Sequence, residues 1–165
     1  MNPSITQLDA ATVQHLQSWV GRTETLHDDM SLAPLRGFSA TLDREDPLPV
    51  VGTPVPPLAH WLYFLPHGKQ SEIGPDGHAQ RGGFLPPVPL PRRMWAGSRI
   101  KFHAPLLAGQ AITRSSKISD VRMKEGRTGP LVFVNVSHEI RAEGQVAISE
   151  EHDIVYRDAP GPDDK

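Results

Sequence analysis

Cysteine is missing from the 165-residue chain, which excludes disulfide frameworks, thiolate metal sites, iron–sulfur clusters and cysteine nucleophiles together; the fold has to stand on its apolar core. An excess of positive charge is missing too. Lysine and arginine total 17 against 19 aspartates and glutamates, for a formal charge of -2 and a pI near 6.4, so the electrostatic footprint of a nucleic-acid binder is not there. No apolar run approaches the roughly 18 residues that span a bilayer, and the N-terminal stretch lacks a basic region followed by an apolar one. A cytoplasmic protein with no membrane partner is therefore expected. What the chain has in quantity is proline (17) and glycine (14), well above an average usage of about 12% for the two together, and that composition implies long ordered loops. The length suits one domain. We expect a single unit over residues 1–157 and a polar tail or linker over 158–165, where Pro160 and Pro162 fall.

The spacing of Val13, Leu16 and Val20 predicts a short amphipathic helix over 6–20, with Thr6 and Asp9 related as in a capping box and Gly21 ending the turn. Leu35, Phe38 and Leu42 share a face of a second helix over 31–43, capped by Ser31, with Pro34 tolerated in its first turn. The apolar run Leu58-Ala59-His60-Trp61-Leu62-Tyr63-Phe64-Leu65 lies between Pro56-Pro57 and Pro66 and reads as a short buried helix. Residues 66–92 read as loop. Their glycines prevent regular structure, and Pro86, Pro87, Pro89 and Pro91 favour an extended polyproline path; so long a stretch suggests a lid or binding loop.

Strands follow over 98–103, 111–123, 131–142 and 145–157, separated by turn signals at Gly109, 125–130 and Gly144. In the third, Val132, Val134, Val136, His138 and Ile140 fall on one face, the period of a half-buried antiparallel strand. In the fourth, Val146, Ile148, Ile154 and Tyr156 share a parity that Glu150 and His152 interrupt. Helices first and a long antiparallel meander afterwards is the order of an α+β fold in which the sheet wraps a buried helix, the hot-dog arrangement. Such a unit leaves a sheet edge uncovered, so a dimer is expected.

Familiar catalytic signatures are few. There is no Gly-x-Ser-x-Gly elbow, phosphate-binding loop or dinucleotide fingerprint, and no cofactor is expected. The histidines (His15, His27, His60, His67, His78, His103, His138 and His152) show no close ligand spacing, and no metal is expected. Glu150 and Glu151 adjoin on a strand, so they point to opposite faces and cannot act together; solvation and a cross-strand ion pair account for at least one.

The block Leu90-Pro91-Arg92-Arg93-Met94-Trp95-Ala96-Gly97-Ser98-Arg99, with Phe102, Pro105-Leu106 and Gly109, then Gly126-Arg127-Thr128-Gly129-Pro130-Leu131-Val132-Phe133-Val134 and the closing Glu150-Glu151-His152-Asp153-Ile154-Val155-Tyr156-Arg157, resembles the N-terminal half of MaoC-type acyl-thioester hydratases and dehydratases. Mesaconyl-CoA hydratase and the type 2 hydroxyacyl-thioester dehydratases belong to that group. The resemblance spans roughly residues 28–157 and implies reversible addition of water to an enoyl or mesaconyl-type thioester of coenzyme A. It also implies a second hot-dog half, which in that family carries the catalytic Asp and His in a motif like Asp-x-Asn-Pro-x-His. Here Leu42-Asp43-Arg44-Glu45-Asp46-Pro47 matches only the Asp, loosely, at Asp43. Hydration needs one group to take a proton from water, another to protonate the α-carbon, and donors for the enolate-like oxygen. One carboxylate does not supply that, and Pro56 and Pro57 remove amide donors from the start of the 58–65 segment.

The resemblance therefore points to a substrate-accommodating half, with the acid–base pair supplied by a homodimeric or heterodimeric hot-dog partner. Candidate contacts to the acyl-CoA substrate are Trp61, Trp95 flanked by Arg92, Arg93 and Arg99, and the turn residues Lys124 and Arg127, whose cations suit the coenzyme phosphates. Asp43 and His60 are the weak candidates for catalysis. Two rival readings stay open: an acyl-CoA thioesterase using Asp43 or a neighbouring Glu, and a binding or assembly subunit without chemistry. All rest on one expectation, that strands curl about a buried segment centred on Trp61 and that the proton-handling groups lie on another polypeptide.

Overall fold

The computed structural model describes residues 8–127 and 129–159. The proposed Thr6 cap and the end of the 158–165 tail lie outside them. Helix α1 spans Ala10–Gln17 and begins at Asp9, whose Oδ1 accepts from the Thr12 amide at 2.7 Å, so Asp9 is itself the cap. Only Leu16 of this helix is buried, and Val20 lies beyond its end at the surface. Strand β1 follows at Thr23–Asp29, then α2 at Leu32–Thr41, one 3-10 turn at Ala59–Leu62, another at Gln70–Glu72, and strands β2 (Arg92–Phe102), β3 (Ala111–Gly126), β4 (Gly129–Ala142) and β5 (Gln145–Arg157).

The five strands form one antiparallel sheet in the order β1-β3-β4-β5-β2. The β4–β5 connection is a two-residue hairpin in which Glu143 and Gly144 both take positive φ, at 52° and 78°, the geometry whose twist matches the flanking strands. The α+β hot-dog class expected from the sequence holds, with three departures.

First, β1 was not expected. Thr-Glu-Thr-Leu-His-Asp-Asp offers a single apolar residue, Leu26, and the strand alternates exposed with half-buried positions at the sheet edge. Second, β2 begins six residues before the strand expected at 98, so Arg92, Arg93 and Trp95 sit on an edge strand, with a bulge between Trp95 and Gly97. Third, the run 58–65 is no helix. Leu58 (φ 70°) and Phe64 (φ 57°) both break the right-handed path, and so short a stretch flanked by prolines cannot offset the cost of nucleating a helix. Trp61 ends up 48% exposed, and the residues of this stretch that fill the core are Ala59, Tyr63 and Phe64.

The inner face of the sheet buries two apolar clusters, each large side chain contributing about 1.5–3 kcal/mol. One gathers Ile118, Val132, Val134, Val136, Ile154 and Tyr156 under Leu16 of α1 and under Val88 and Leu90. The proline segment expected as a lid is thus partly core. A chain poor in amide donors can lie across an apolar face without ladder hydrogen bonds, and Arg81 holds it by donating to the carbonyls of Val88, Leu90 and Pro91 while stacking over Tyr156. The second cluster joins Ile112, Ile140 and Ile148 to Met30, Leu35, Tyr63, Phe64 and Leu106. Between the two lies a band that is not apolar.

Candidate active site

That band comes from register. Across the sheet Glu24 pairs with Ser116, Ser116 with His138 and His138 with Glu150. Directly paired residues share a face, so these polar groups line up in one row. On either side of it, Arg114 stands opposite Ile140, and His152 lies between Val136 and Ser98. On β4 and β5 the positions belong to the apolar parity, the one that carries Ile140 and Val136, or Ile148 and Ile154. The 3-10 turn Ala59–Leu62 lowers His60 and Trp61 onto the row.

Glu150 is its hub. The residue is 6% exposed; its Oε2 lies 3.3 Å from His60 Nε2 and accepts from the Trp61 indole at 3.1 Å. Burial pushes this carboxyl up, but hydrogen bonds from His60, Trp61 and Ser98 and the nearness of His138 outweigh it and hold it at about 2. Ser98 also receives the Trp95 indole N–H at 3.1 Å. His60 is 3% exposed and its Nδ1 has no hydrogen-bond partner. His138 shares a 2.8 Å hydrogen bond with Ser116 through Nδ1; desolvation, reinforced by Arg114, drives it down to about 4. Burial lowers His152 as well. At neutral pH Glu150 is thus a fixed carboxylate, with His138 and His152 beside it held toward their neutral forms.

These residues line a cleft of about 340 Å³ walled by Trp61, Tyr63, Phe64, Trp95, Arg114 and Ile140, at the small end of the 300–1,000 Å³ typical of ligand sites. Its polar groups converge on an otherwise apolar pocket. Among the described residues, no group of three or more His, Asp or Glu could hold a metal ion, and no helix is long and apolar enough to cross a membrane.

Of the residues singled out in the sequence, the cleft brings together His60, Trp61 and Trp95. Asp43 does not join them; it is exposed just beyond α2 with φ 52°. Arg99 points from β2 to Glu151 and Asp153, at 2.7 and 2.8 Å, which accounts for Glu151 by the expected cross-strand ion pair. Arg93 lies 3.5 Å from Asp76. Arg92 and Lys124 fall in one row of the sheet through Leu131 and Arg157, on the face away from the cleft, and Lys124 rests 5.5 Å from the Phe133 ring centre. Arg127 is exposed beyond the end of β3. Sequence reasoning missed Glu150, His138, His152, Arg114 and Ser116. The signal was present as polar residues on the apolar parity of β4 and β5.

An antiparallel sheet with short covering elements, and a small cleft whose polar groups converge on a buried acid, is the architecture of a hot-dog protein. The model of the hydroxyacyl-thioester dehydratase type 2 family matches residues 58–165, and the chain belongs to that family of hydro-lyases. It is 49% identical over 145 residues to mesaconyl-C(4)-CoA hydratase of Chloroflexus aurantiacus, a match covering 88% of this chain and 52% of that protein; the chain thus spans about half the length of that relative. Among solved structures, the ChsH1-ChsH2 complex of Mycobacterium tuberculosis contains a chain that superposes with a TM-score of 0.63 at 15% identity, covering 91% of this chain and 92% of that one. That likeness establishes the fold. The HadBC (3R-hydroxyacyl-ACP dehydratase) complex of the same organism gives 0.49 at 14% identity, covering 82% and 96%.

Proposed function

We propose that this chain is the substrate-holding half of a hydratase or dehydratase acting on acyl-CoA thioesters of the mesaconyl or enoyl type, with the acid and imidazole that move protons contributed by a second hot-dog unit. The observation that carries this is the state of Glu150. A general base works best with a pKa near the operating pH, whereas Glu150 is tied by His60, Trp61 and Ser98 and held at about 2. It has no proton to give at neutral pH and little tendency to take one. His138, at about 4 and bonded to Ser116, is in the same position. The cluster fixes Trp61 and shapes the cleft; the acyl group lies between Trp61 and Trp95, and the coenzyme leaves over the β2 edge toward Arg92. Arg93 and Arg99 already have carboxylate neighbours, so they are weaker phosphate partners than Arg92, Lys124 and Arg127. An edge strand, β2, with no neighbour on one side among the described residues, and Trp61, Trp95 and Phe102 exposed, suit pairing with such a unit.

The test is to assay the purified chain on crotonyl-CoA and mesaconyl-CoA, alone and mixed with a separately produced hot-dog protein carrying Asp-x-Asn-Pro-x-His. Turnover only in the mixture supports the reading. One observation favours a second reading, catalysis within this cleft: an acid and an imidazole do meet there, at 3.3 Å. Hydration by the chain alone at enzymatic rates, abolished by His60→Ala, would establish that alternative. The thioesterase reading loses its specific residue, since Asp43 lies outside the cleft.

A further inference from the structure

Arg114 lines the cleft and has no task in the reading above. It stands on the inner face of β3, opposite Leu26 on one side and Ile140 on the other, where an apolar residue would continue the pattern set by Ile112 and Ile118. Its Nε is buried and has no hydrogen-bond partner. Among the described residues no carboxylate forms an ion pair with it; Glu24 and Glu150 act on it only at longer range. Glu150 is engaged by His60 and Trp61 instead. A half-buried guanidinium without a bonded counter-ion is costly, and its buried Nε–H left unmade adds to that cost.

Its orientation is constrained as well. The Phe64 ring lies 5.0 Å from the guanidinium carbon, and Phe64 is itself anchored by its amide donating to Asp28 at 2.6 Å. A guanidinium seated over a ring in this way keeps N–H donors with which it can meet a carboxylate by two parallel hydrogen bonds. The neighbouring cleft groups, His138 and His152, are held toward their neutral forms, so neither competes as a cation. Of the remaining walls, Trp61, Tyr63, Phe64, Trp95 and Ile140 are aromatic or apolar, and the carboxylate of Glu150 is already bonded to His60 and Trp61; the volume of about 340 Å³ suits a short chain.

We propose that Arg114 is the receptor for a second, free carboxylate on the acyl group, so that the cleft selects coenzyme A monothioesters of short dicarboxylic acids over neutral acyl thioesters of the same length. This rests on the reading of the cleft as an acyl-thioester site. Arg114 here determines specificity and does not move protons.

The experiment compares binding of glutaryl-CoA and pentanoyl-CoA by titration calorimetry. Both are saturated and equally long, so neither can be hydrated and the readout is independent of turnover. The wild-type chain should bind glutaryl-CoA at least tenfold more tightly. Arg114→Met should bring the two to parity while pentanoyl-CoA affinity holds or rises, and Arg114→Lys should retain part of the preference. Equal affinities in the wild-type chain would overturn the carboxylate assignment alone, whatever the variants do, as would an undiminished preference in Arg114→Met. Failure of both thioesters to bind would overturn the acyl-thioester reading along with it.

Discussion

Replacing Glu150 by Gln keeps the shape of the buried side chain and removes its charge, which isolates the electrostatic part of the row. A carboxyl held at about 2 in the fold against an ordinary 4.5 corresponds to about 2–3 kcal/mol of stability at neutral pH. The sign follows from the lowered pKa. Stability from this group is fully present above about pH 4.5 and is lost as pH falls toward 2, because the unfolded chain takes up the proton first. Urea unfolding at a series of pH values, followed by tryptophan fluorescence, gives both numbers. Glu150→Gln should be about 2–3 kcal/mol less stable than wild type at pH 7 and should approach it by pH 2–3. A variant as stable as wild type at pH 7, or a deficit that does not shrink in acid, would refute the idea that Glu150 is held ionised by His60, Trp61 and Ser98.

His138 tests the neighbouring window. Its lowered pKa means that the unfolded chain binds the proton between about pH 6.5 and 4 while the fold does not, so wild-type stability should fall by about 2–3 kcal/mol across that range, and His138→Gln should flatten the curve there and leave the region below pH 4 unchanged. Ile140→Ala, at a residue 1% exposed in the second apolar cluster, should cost about 2–5 kcal/mol in the same assay. Gly144→Val, at φ 78° in the β4–β5 hairpin, should cost about 1–2 kcal/mol from the left-handed strain alone. In calorimetric titration with pentanoyl-CoA, Trp95→Ala should weaken binding severalfold, and Asp43→Ala should leave it within error of wild type.

Much of the fold could be read from local pattern, because β3, β4 and β5 are long and β4 alternates regularly over most of its length. What could not be read is instructive. Strand β1 carries only Leu26 as an apolar residue and is held by pairing with β3 from Thr23 opposite Lys117 to Asp29 opposite Ala111, a long-range fact with no local trace. The run 58–65 is apolar enough for a buried helix, yet its prolines and the positive φ of Leu58 and Phe64 leave one 3-10 turn and put Trp61 at the surface. The site shows both sides of this. His138, Glu150 and His152 stand visibly on apolar parities, and an acid or imidazole on such a face asks for a partner. Which partner depends on register between distant strands, and on where the 59–62 turn sets His60, and neither is written in any window of the sequence. A cluster of acid and imidazole groups in this chain's own cleft was not expected from the sequence: His60, His138, His152 and Glu150 gather there, and the lowered pKa values of Glu150, His138 and His152 argue against their moving protons.

The central claim is that this cleft receives the acyl thioester, and a crystal structure of the chain soaked with glutaryl-CoA tests it most directly. We expect the acyl group between Trp61 and Trp95, its free carboxylate on Arg114 and its thioester facing away from Glu150 toward the unpaired edge of β2. Density for the acyl group on the opposite face of the sheet, among Lys101, Lys117 and Glu139, with the cleft holding only solvent, would contradict the account.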